Sequence, residues 1–131
     1  DPEGRGGTWW LVADGFGQHR RFEGFLAEDE GKMAGYAFNS QTYSTFLALP
    51  GLYLEDLFVL PEFRGTRVGY ALMLFLAREA VRRGCGRMEW TVLDWNVDAQ
   101  KFYRRLGAEV LSTWWTCRVS GDALAALASS K

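Results

Sequence analysis

The stretch that most constrains the fold runs from Leu57 to Tyr70 and reads L-F-V-L-P-E-F-R-G-T-R-V-G-Y. An apolar run ends at Pro61, a charged turn carries Arg64 and Gly65, and Val68-Gly69-Tyr70 opens a long amphipathic segment, so the order is strand, loop, helix. Leu72, Phe75, Leu76 and Val81 fall near helical spacing, with Arg78, Glu79, Arg82 and Arg83 on the remaining face. Gly84 stops the helix just after the arginines that suit the negative end of its dipole. The next run, Met88 to Leu93, reads as a strand. A strand joined to its neighbour through a helix implies a parallel pair with a right-handed crossover. The loop has a chemistry of its own. The first amides of a helix lack internal partners and point along its dipole, while glycine and basic side chains let a phosphate approach the backbone. Arg64 to Tyr70 therefore read either as a pyrophosphate cradle or as an ordinary strand-to-helix turn with surface arginines.

The remaining segments extend this unit on both sides. Asp1 to Gly7 is a polar, glycine-rich leader. Thr8 is placed to cap a short helix through Trp9, Trp10, Leu11 and Val12 that ends at Gly15, in the phrase D-G-F-G. Arg21 to Glu28 and Met33 to Phe38 flank the acidic turn E-D-E-G and predict a hairpin. Thr42 to Thr45 extend its second strand or begin a loop, Pro50-Gly51 predicts a turn, and a third strand follows from Leu52 to Leu60. Beyond Leu93, the phrase Asp94-Trp95-Asn96 breaks the chain, and Asn96 or Asp98 caps a helix over 99–106 that Gly107 terminates. Val110–Leu111 and Trp115–Val119 read as closing strands, and Gly121–Ala128 as a short alanine-rich helix or a loose tail. The fold class is mixed α/β, an antiparallel hairpin portion followed by β-α-β-α-β. Ligands in such sheets collect where strands part or the order changes.

Composition narrows the function classes. At 131 residues, the chain is expected to form one domain, residues 1–131, with a real core. A hydrophobic content of 48% excludes disorder, and a net charge of −1 gives no general support for a polyanion partner, so nucleic acid is not expected. Cys85 and Cys117 have neither metal spacing nor the density of a secreted framework, which points to reduced thiols, no metal and a cytoplasmic protein. No apolar run reaches the length of a membrane span, and the N-terminal residues lack the pattern of a signal peptide.

The third strand carries Glu55 and Asp56 between apolar neighbours. Carboxylates there are costly unless solvated or paired, so they read either as functional groups or as one solvated and one bonded to a turn. R-G-T-R-V-G at 64–69 and D-W-N-V-D-A-Q-K-F-Y-R-R-L-G-A at 94–108 together resemble the two signature segments of the GNAT acyltransferases. D-G-F-G at 14–17, Y-L-E-D at 53–56, V-L-D-W-N at 92–96 and F-Y-R-R-L-G-A at 102–108 are similar to the diamine (spermidine/spermine) acetyltransferases and their thialysine acetyltransferase relatives. Y-S-T-F at 43–46 leans towards the thialysine side. The resemblance implies a mixed sheet with a splayed central strand pair. It implies acetyl-CoA as cofactor, held by Leu57, Phe58, Val59, the loop Arg64, Gly65, Thr66, Arg67, Val68, Gly69 and Tyr70, and Asn96 with Ala99. It further implies an amine site of Glu55, Asp56, Thr45 and Trp95, and a homodimer in which terminal strands pack across the interface. Three departures accompany it. Arg67 stands where the family usually has glycine, so one amide is oriented differently or Arg67 itself reaches a phosphate. The family's N-terminal strand and helices are largely absent before Thr8, so either the numbering covers part of a longer protein or the domain borrows its edge. The segment 111–116 is shorter than its counterpart, which removes an acidic substrate contact that some relatives have.

The implied reaction moves an acetyl group from a thioester to an amine. A lysine-like amine with a pKa near ~10.4 is neutral in only a few molecules per ten thousand at pH 7, a handicap of roughly 4–5 kcal/mol, so a base is useful. The resemblance assigns that base to Glu55, with Asp56 as a second anionic contact. It assigns Tyr103 to protonating the departing thiolate; without it, Tyr103 reads as a core aromatic beside Phe102. Trp95 walls the amine pocket or belongs to the core. His19 lies in a polar turn and is not expected to be a catalyst, and Cys85 has no base nearby in sequence, which favours direct attack over an acyl-cysteine. The expectation is an N-acetyltransferase for a primary amine on a small cationic substrate, a polyamine or thialysine-like amino acid. The alternatives are a coenzyme A-binding module without catalysis and a protein or peptide N-acetyltransferase.

Overall fold

The computed structural model describes the backbone of Thr8–Ala13 and residues 22–130. The expectations for the leader, the D-G-F-G phrase and His19 lie outside these residues. Among the described residues, five strands form one sheet in the order β1 (Thr8–Ala13), β2 (Glu23–Asp29), β3 (Lys32–Ser44), β4 (Leu49–Val59) and β5 (Arg87–Glu89). Pairing is antiparallel from β1 through β4, and β5 joins β4 in parallel. The helices are α1 (Val68–Arg82), α2 (Val97–Arg105) and α3 (Gly121–Ala128), with one 3-10 turn at Pro61–Phe63. The chain divides into two compact units, one reaching Thr91 with the sheet and α1, the other starting at Val92 with α2 and α3.

The predicted hairpin is β2–β3, closed by Glu30 and Gly31 at φ +51° and +80°, the left-handed pair that matches strand twist in a two-residue turn. Residues 9–12 form a strand and not the expected helix, because Thr8 to Ala13 each face a partner on β2 and the segment is rich in Thr, Trp and Val, which fit a pleated surface. The turn expected at Pro50-Gly51 lies earlier, at residues 45–48. The Ala48 amide bonds to the Ser44 carbonyl at 2.8 Å, and the Leu47 amide to Ser44 Oγ at 3.1 Å. Pro50 sits beside the first residue of β4, where a missing donor is tolerated.

One face of the sheet is buried under α1. Phe25 packs against Phe75 at a centroid distance of 4.8 Å, and Ala34, Ala37, Leu72 and Leu76 are fully buried. Small residues on β3 let the helix approach: a Cβ on Gly35 would lie 3.4 Å from Leu72 Cδ1 and 2.6 Å from the Phe58 carbonyl. Met73 and Ala80 complete the buried stripe, whereas Val81 is exposed, contrary to expectation, since nine residues on from Leu72 lies half a turn round the helix. Arg83 bonds to both Glu23 and Glu79, tying the start of β2 to the end of α1. The helix stops at Gly84, φ +75°.

β5 is shorter than expected. It pairs with β4 only at Gly51–Arg87, Leu52–Met88 and Tyr53–Glu89, and residues 90–93 carry no strand. Neither Val110–Leu111 nor Trp115–Val119 forms a strand; among the described residues these segments have no ladder partner, and residues 111–120 are exposed. In the second unit, Asn96 and not Asp98 caps α2, its Oδ1 accepting from the Ala99 amide at 3.2 Å.

Candidate active site

Beyond Tyr53, β4 has no ladder partner on its β5 side among the described residues, while its other edge stays bonded to β3 as far as Val59. This is the parting of strands that the sheet type leads one to expect. The register against β3 shifts at the same place: Phe38 faces Asp56, Asn39 faces Leu54, and Glu55 is the extra residue of a β-bulge. Consecutive strand residues normally point to opposite faces, and the bulge changes that. Ser40 Oγ donates to Glu55 Oε1 at 2.9 Å, and Tyr36 stands on the Asp56 face of the ladder, opposite Phe58 and two residues along β3 from Phe38, which faces Asp56. Both carboxylates thus meet even-numbered side chains of β3, on the face away from α1, and both are exposed. Burial above all, then the neighbouring Asp56 carboxylate, raises the Tyr36 phenol above its ordinary pKa.

The same face carries a line of aromatic rings. Tyr36 lies 5.0 Å from Phe38 and 5.5 Å from Phe58, Phe22 meets Phe38 edge-on at 5.9 Å, and the Arg64 guanidinium sits 5.5 Å over Phe58. Arg64 Nε also donates to the Val59 carbonyl at 3.1 Å, which fastens the loop to the end of β4. Sequence reasoning missed Tyr36 and Ser40. Their even spacing with Phe38 was visible, but their pairing with the carboxylates depends on the bulge.

The loop between β4 and α1 keeps donors available. Gly65 has φ +82° with nothing within 4 Å of the position of a Cβ, and Thr66 Oγ1 bonds back to the Phe63 carbonyl. The amides of Val68, Gly69 and Tyr70 precede the first helical bond, Ala71 N–H to the Arg67 carbonyl at 2.8 Å, and the first turn of α1 holds no acidic residue. Arg67 caps the helix at φ −93° and ψ 19°, a conformation open to any L-residue, so its presence in place of glycine does not require a reoriented amide. Its guanidinium lies 4.8 Å over the Tyr70 ring.

In the second unit, Asn96 and Ala99 are joined by the cap, and Gln100 Nε2 bonds to the Leu93 and Asp94 carbonyls at 3.0 and 3.1 Å. Tyr103 lies on α2 with its ring 5.5 Å from Phe102, and burial raises its phenol above the ordinary value. Trp95 is exposed in the preceding turn. Thr45 lies in the β3–β4 turn, at the opposite end of that ladder from Val59. A cavity of about 270 Å³, lined by Asn39, Ser40, Gly51, Arg83 and Cys85 among others, lies by the C-terminal end of α1 and contains none of the site residues expected from the sequence. No helix among the described residues is long and apolar enough to cross a membrane.

Residues 5–108 match the acetyltransferase (GNAT) family, a span that includes the bulged strand, the loop and α2. The chain belongs to the GNAT acetyltransferase family. Among its relatives, L-ornithine N5-acetyltransferase of Arabidopsis thaliana is 43% identical over 95 residues, covering 72% of this chain and 42% of the relative. Thialysine N-ε-acetyltransferase of Mus musculus is 35% identical over 129 residues, covering 90% of this chain and 75% of that protein. This GNAT chain therefore spans less than half of the plant relative. Among solved structures, an integron cassette protein from the mobile metagenome of V. cholerae superposes with a TM-score of 0.78 at 31% identity, covering 89% of this chain and 72% of that one. An aminoglycoside N-acetyltransferase in complex with CoA superposes with a TM-score of 0.64 at 28% identity, covering 78% and 69%. The loop of this GNAT chain fits a coenzyme A pyrophosphate by its chemistry: the first amides of α1 precede its first helical bond, Gly65 leaves open space, the loop carries Arg64 and Arg67, and no carboxylate lies in the first turn.

Proposed function

We propose that this chain is an acetyl-CoA-dependent N-acetyltransferase whose acceptor is a primary amine on a small cationic molecule, a polyamine or a thialysine- or ornithine-like amino acid. The observation that carries the reading is the pair Glu55–Asp56, turned to one face of β4 within the stretch of that strand that has no partner on its β5 side among the described residues. Two carboxylates beside apolar rings attract and orient a flexible cation. The names of the plant and mouse relatives add support for an amine of this class.

Acetyl-CoA would supply the activated acetyl thioester. Residues 64–70 would hold its pyrophosphate, the unpaired edge of Leu57 to Val59 its pantetheine arm, and Asn96 and Ala99 would add contacts to that arm. Ser40 occupies Glu55 Oε1 and leaves Oε2 to take the proton from the ammonium, directly or through a water. A backbone amide at the end of β4 would donate to the oxygen that gains charge. Tyr103, whose phenol burial raises above its ordinary pKa, would hold a proton for the departing sulfur, the role the family resemblance gives it. Attack is direct, without a covalent enzyme intermediate, and no metal is needed. We read both units as one GNAT domain, since the family match crosses the boundary between them. Exposed Leu111, Trp114, Trp115 and Val119 suit a homodimer contact, and the free thiols of Cys85 and Cys117 suit the cytoplasm.

The test is a thiol-release assay with acetyl-CoA against spermidine, thialysine, ornithine, lysine and a basic peptide, with coenzyme A affinity measured in parallel. Turnover with the small amines is expected, and Tyr103→Phe should lower kcat about 10²-fold or more while leaving coenzyme A bound. Tight coenzyme A binding without acetylation of any amine would establish a binding module instead. Turnover confined to the peptide would establish a protein acetyltransferase.

A further inference from the structure

The two carboxylates of β4 are adjacent in sequence, yet their partners on β3 are far apart. Cα atoms of Glu55 and Asp56 are about 3.8 Å apart, as in any trans peptide. Ser40 and Tyr36 lie four residues apart on one face of β3, roughly 13 Å along the strand. Ser40 stands opposite Tyr53 and Tyr36 opposite Phe58, on either side of the bulge. The hydroxyl of Ser40 therefore draws Glu55 towards the Tyr53 end, while the Tyr36 ring, packed against Phe38 and Phe58 on the same face, sets its phenol on the Phe58 side of Asp56. Left unpinned, neighbouring carboxylates would converge on one ammonium; pinned apart, they offer two anionic points with apolar rings alongside. Tyr36 is a rigid pin, because its ring is packed between Phe38 and Phe58. A carboxylate has acceptor capacity beyond one hydroxyl, so each acid remains open to a cation.

We infer that Tyr36 and Ser40 are positioning residues that split the acidic pair into two cation contacts, and that the Tyr36–Asp56 arm selects acceptors carrying a second positive charge several ångströms from the reacting amine. The inference rests on the amine acetyltransferase reading and adds to it a division of labour. Glu55, held by Ser40, serves the reacting nitrogen. Asp56, held by Tyr36, serves the distal one. The phenyl rings line the methylene spacer between them, and Phe22, partly exposed, carries that wall out to solvent.

The experiment compares two acceptors of equal chain length, 1,4-diaminobutane and 1-aminobutane, on the unaltered chain, Tyr36→Phe, Ser40→Ala and Ser40→Thr, with folding checked by thermal melts. Inhibition constants for each amine are read alongside kcat and KM. In the unaltered chain the diamine should be preferred. Tyr36→Phe keeps the ring packing and removes only the hydroxyl, so the diamine-to-monoamine ratio of kcat/KM should fall about tenfold, mostly through KM for the diamine. Ser40→Ala should lower kcat for both amines alike, and Ser40→Thr, which restores a hydroxyl, should recover it. A ratio unchanged in a folded Tyr36→Phe protein overturns the Tyr36–Asp56 arm, and unchanged kcat in Ser40→Ala overturns the Ser40 role. Absence of turnover by the unaltered chain overturns the acetyltransferase reading and this inference with it.

Discussion

Gly35→Ala is the substitution that most directly links the packing of this sheet to its site. A Cβ at residue 35 would stand 2.6 Å from the Phe58 carbonyl and 3.3 Å from Val59 Cα. The first contact is roughly 0.8 Å inside the separation at which ordinary van der Waals contact begins. Both obstructing atoms are backbone, so no side chain can swing aside; β4 itself has to move away from β3 at Phe58 and Val59. Forcing one methyl into a packed site costs about 1–3 kcal/mol. A small domain that starts with about 5–15 kcal/mol of stability stays folded after that loss, so activity can be measured on folded protein. The displaced segment is the unpaired edge assigned to the pantetheine arm. A shift on the order of 1 Å in such a segment can cost about 10²-fold in rate. The expected result is a urea midpoint lowered in proportion to about 1–3 kcal/mol, together with a kcat/KM loss of roughly ten- to a hundredfold. Gly31→Ala serves as the comparison. It strains a turn at φ +80° with open space around it, so it should lose stability while acetyl-CoA affinity stays unchanged. A stability loss below about 0.5 kcal/mol for Gly35→Ala, with normal acetyl-CoA affinity, would refute the argument.

Three further outcomes follow from the structure. Asn96→Ala removes the acceptor for the Ala99 amide and should cost about 0.5–2 kcal/mol. Amide exchange should quicken first in the initial turn of α2, and uniform exchange along α2 would count against the cap. Glu79 is held below its ordinary 4.5 chiefly by the hydrogen bond from Arg82, with Arg83 adding to it. Its contribution is therefore present above the ordinary carboxylate pKa and is lost as pH falls through the lower folded value, so Glu79→Gln should flatten the stability curve below about pH 4.5. Arg67→Ala takes a cation from beside the α1 amides and should weaken acetyl-CoA binding about tenfold while reducing its dependence on salt, as isothermal titration at two ionic strengths would show; identical salt slopes would remove Arg67 from the cradle.

The elements that carry the expected site were legible because they are local. The strand–loop–helix at 57–70 announces itself through Pro61, Gly65 and the apolar period that begins at Val68, all within one short window. The α2 cap is similarly local, since Asn96 needs only the amide three residues on; choosing it over Asp98 required the backbone. Strand assignments at the edges were weaker. Residues 9–12 have an apolar run compatible with helix or strand, and the six positions paired to β2 decide it. Trp115 to Val119 look like a strand by composition, yet among the described residues none offers them a ladder.

The sequence by itself determined the groups available: a basic, glycine-containing loop ahead of a helix, two adjacent carboxylates and a tyrosine in the segment that becomes α2. These are properties of residue type and short spacing, and they survive without knowledge of any long-range contact. Only the tertiary structure decided that Glu55 and Asp56 share a face, that Ser40 and Tyr36 stand on that face on either side of the bulge, and that β4 loses its parallel neighbour after Tyr53. The physical reason is register. One extra residue in a ladder reverses which side every later side chain takes, and the register between β3 and β4 is set by the turn at 45–48 and by packing under α1, neither of which any single window of sequence contains.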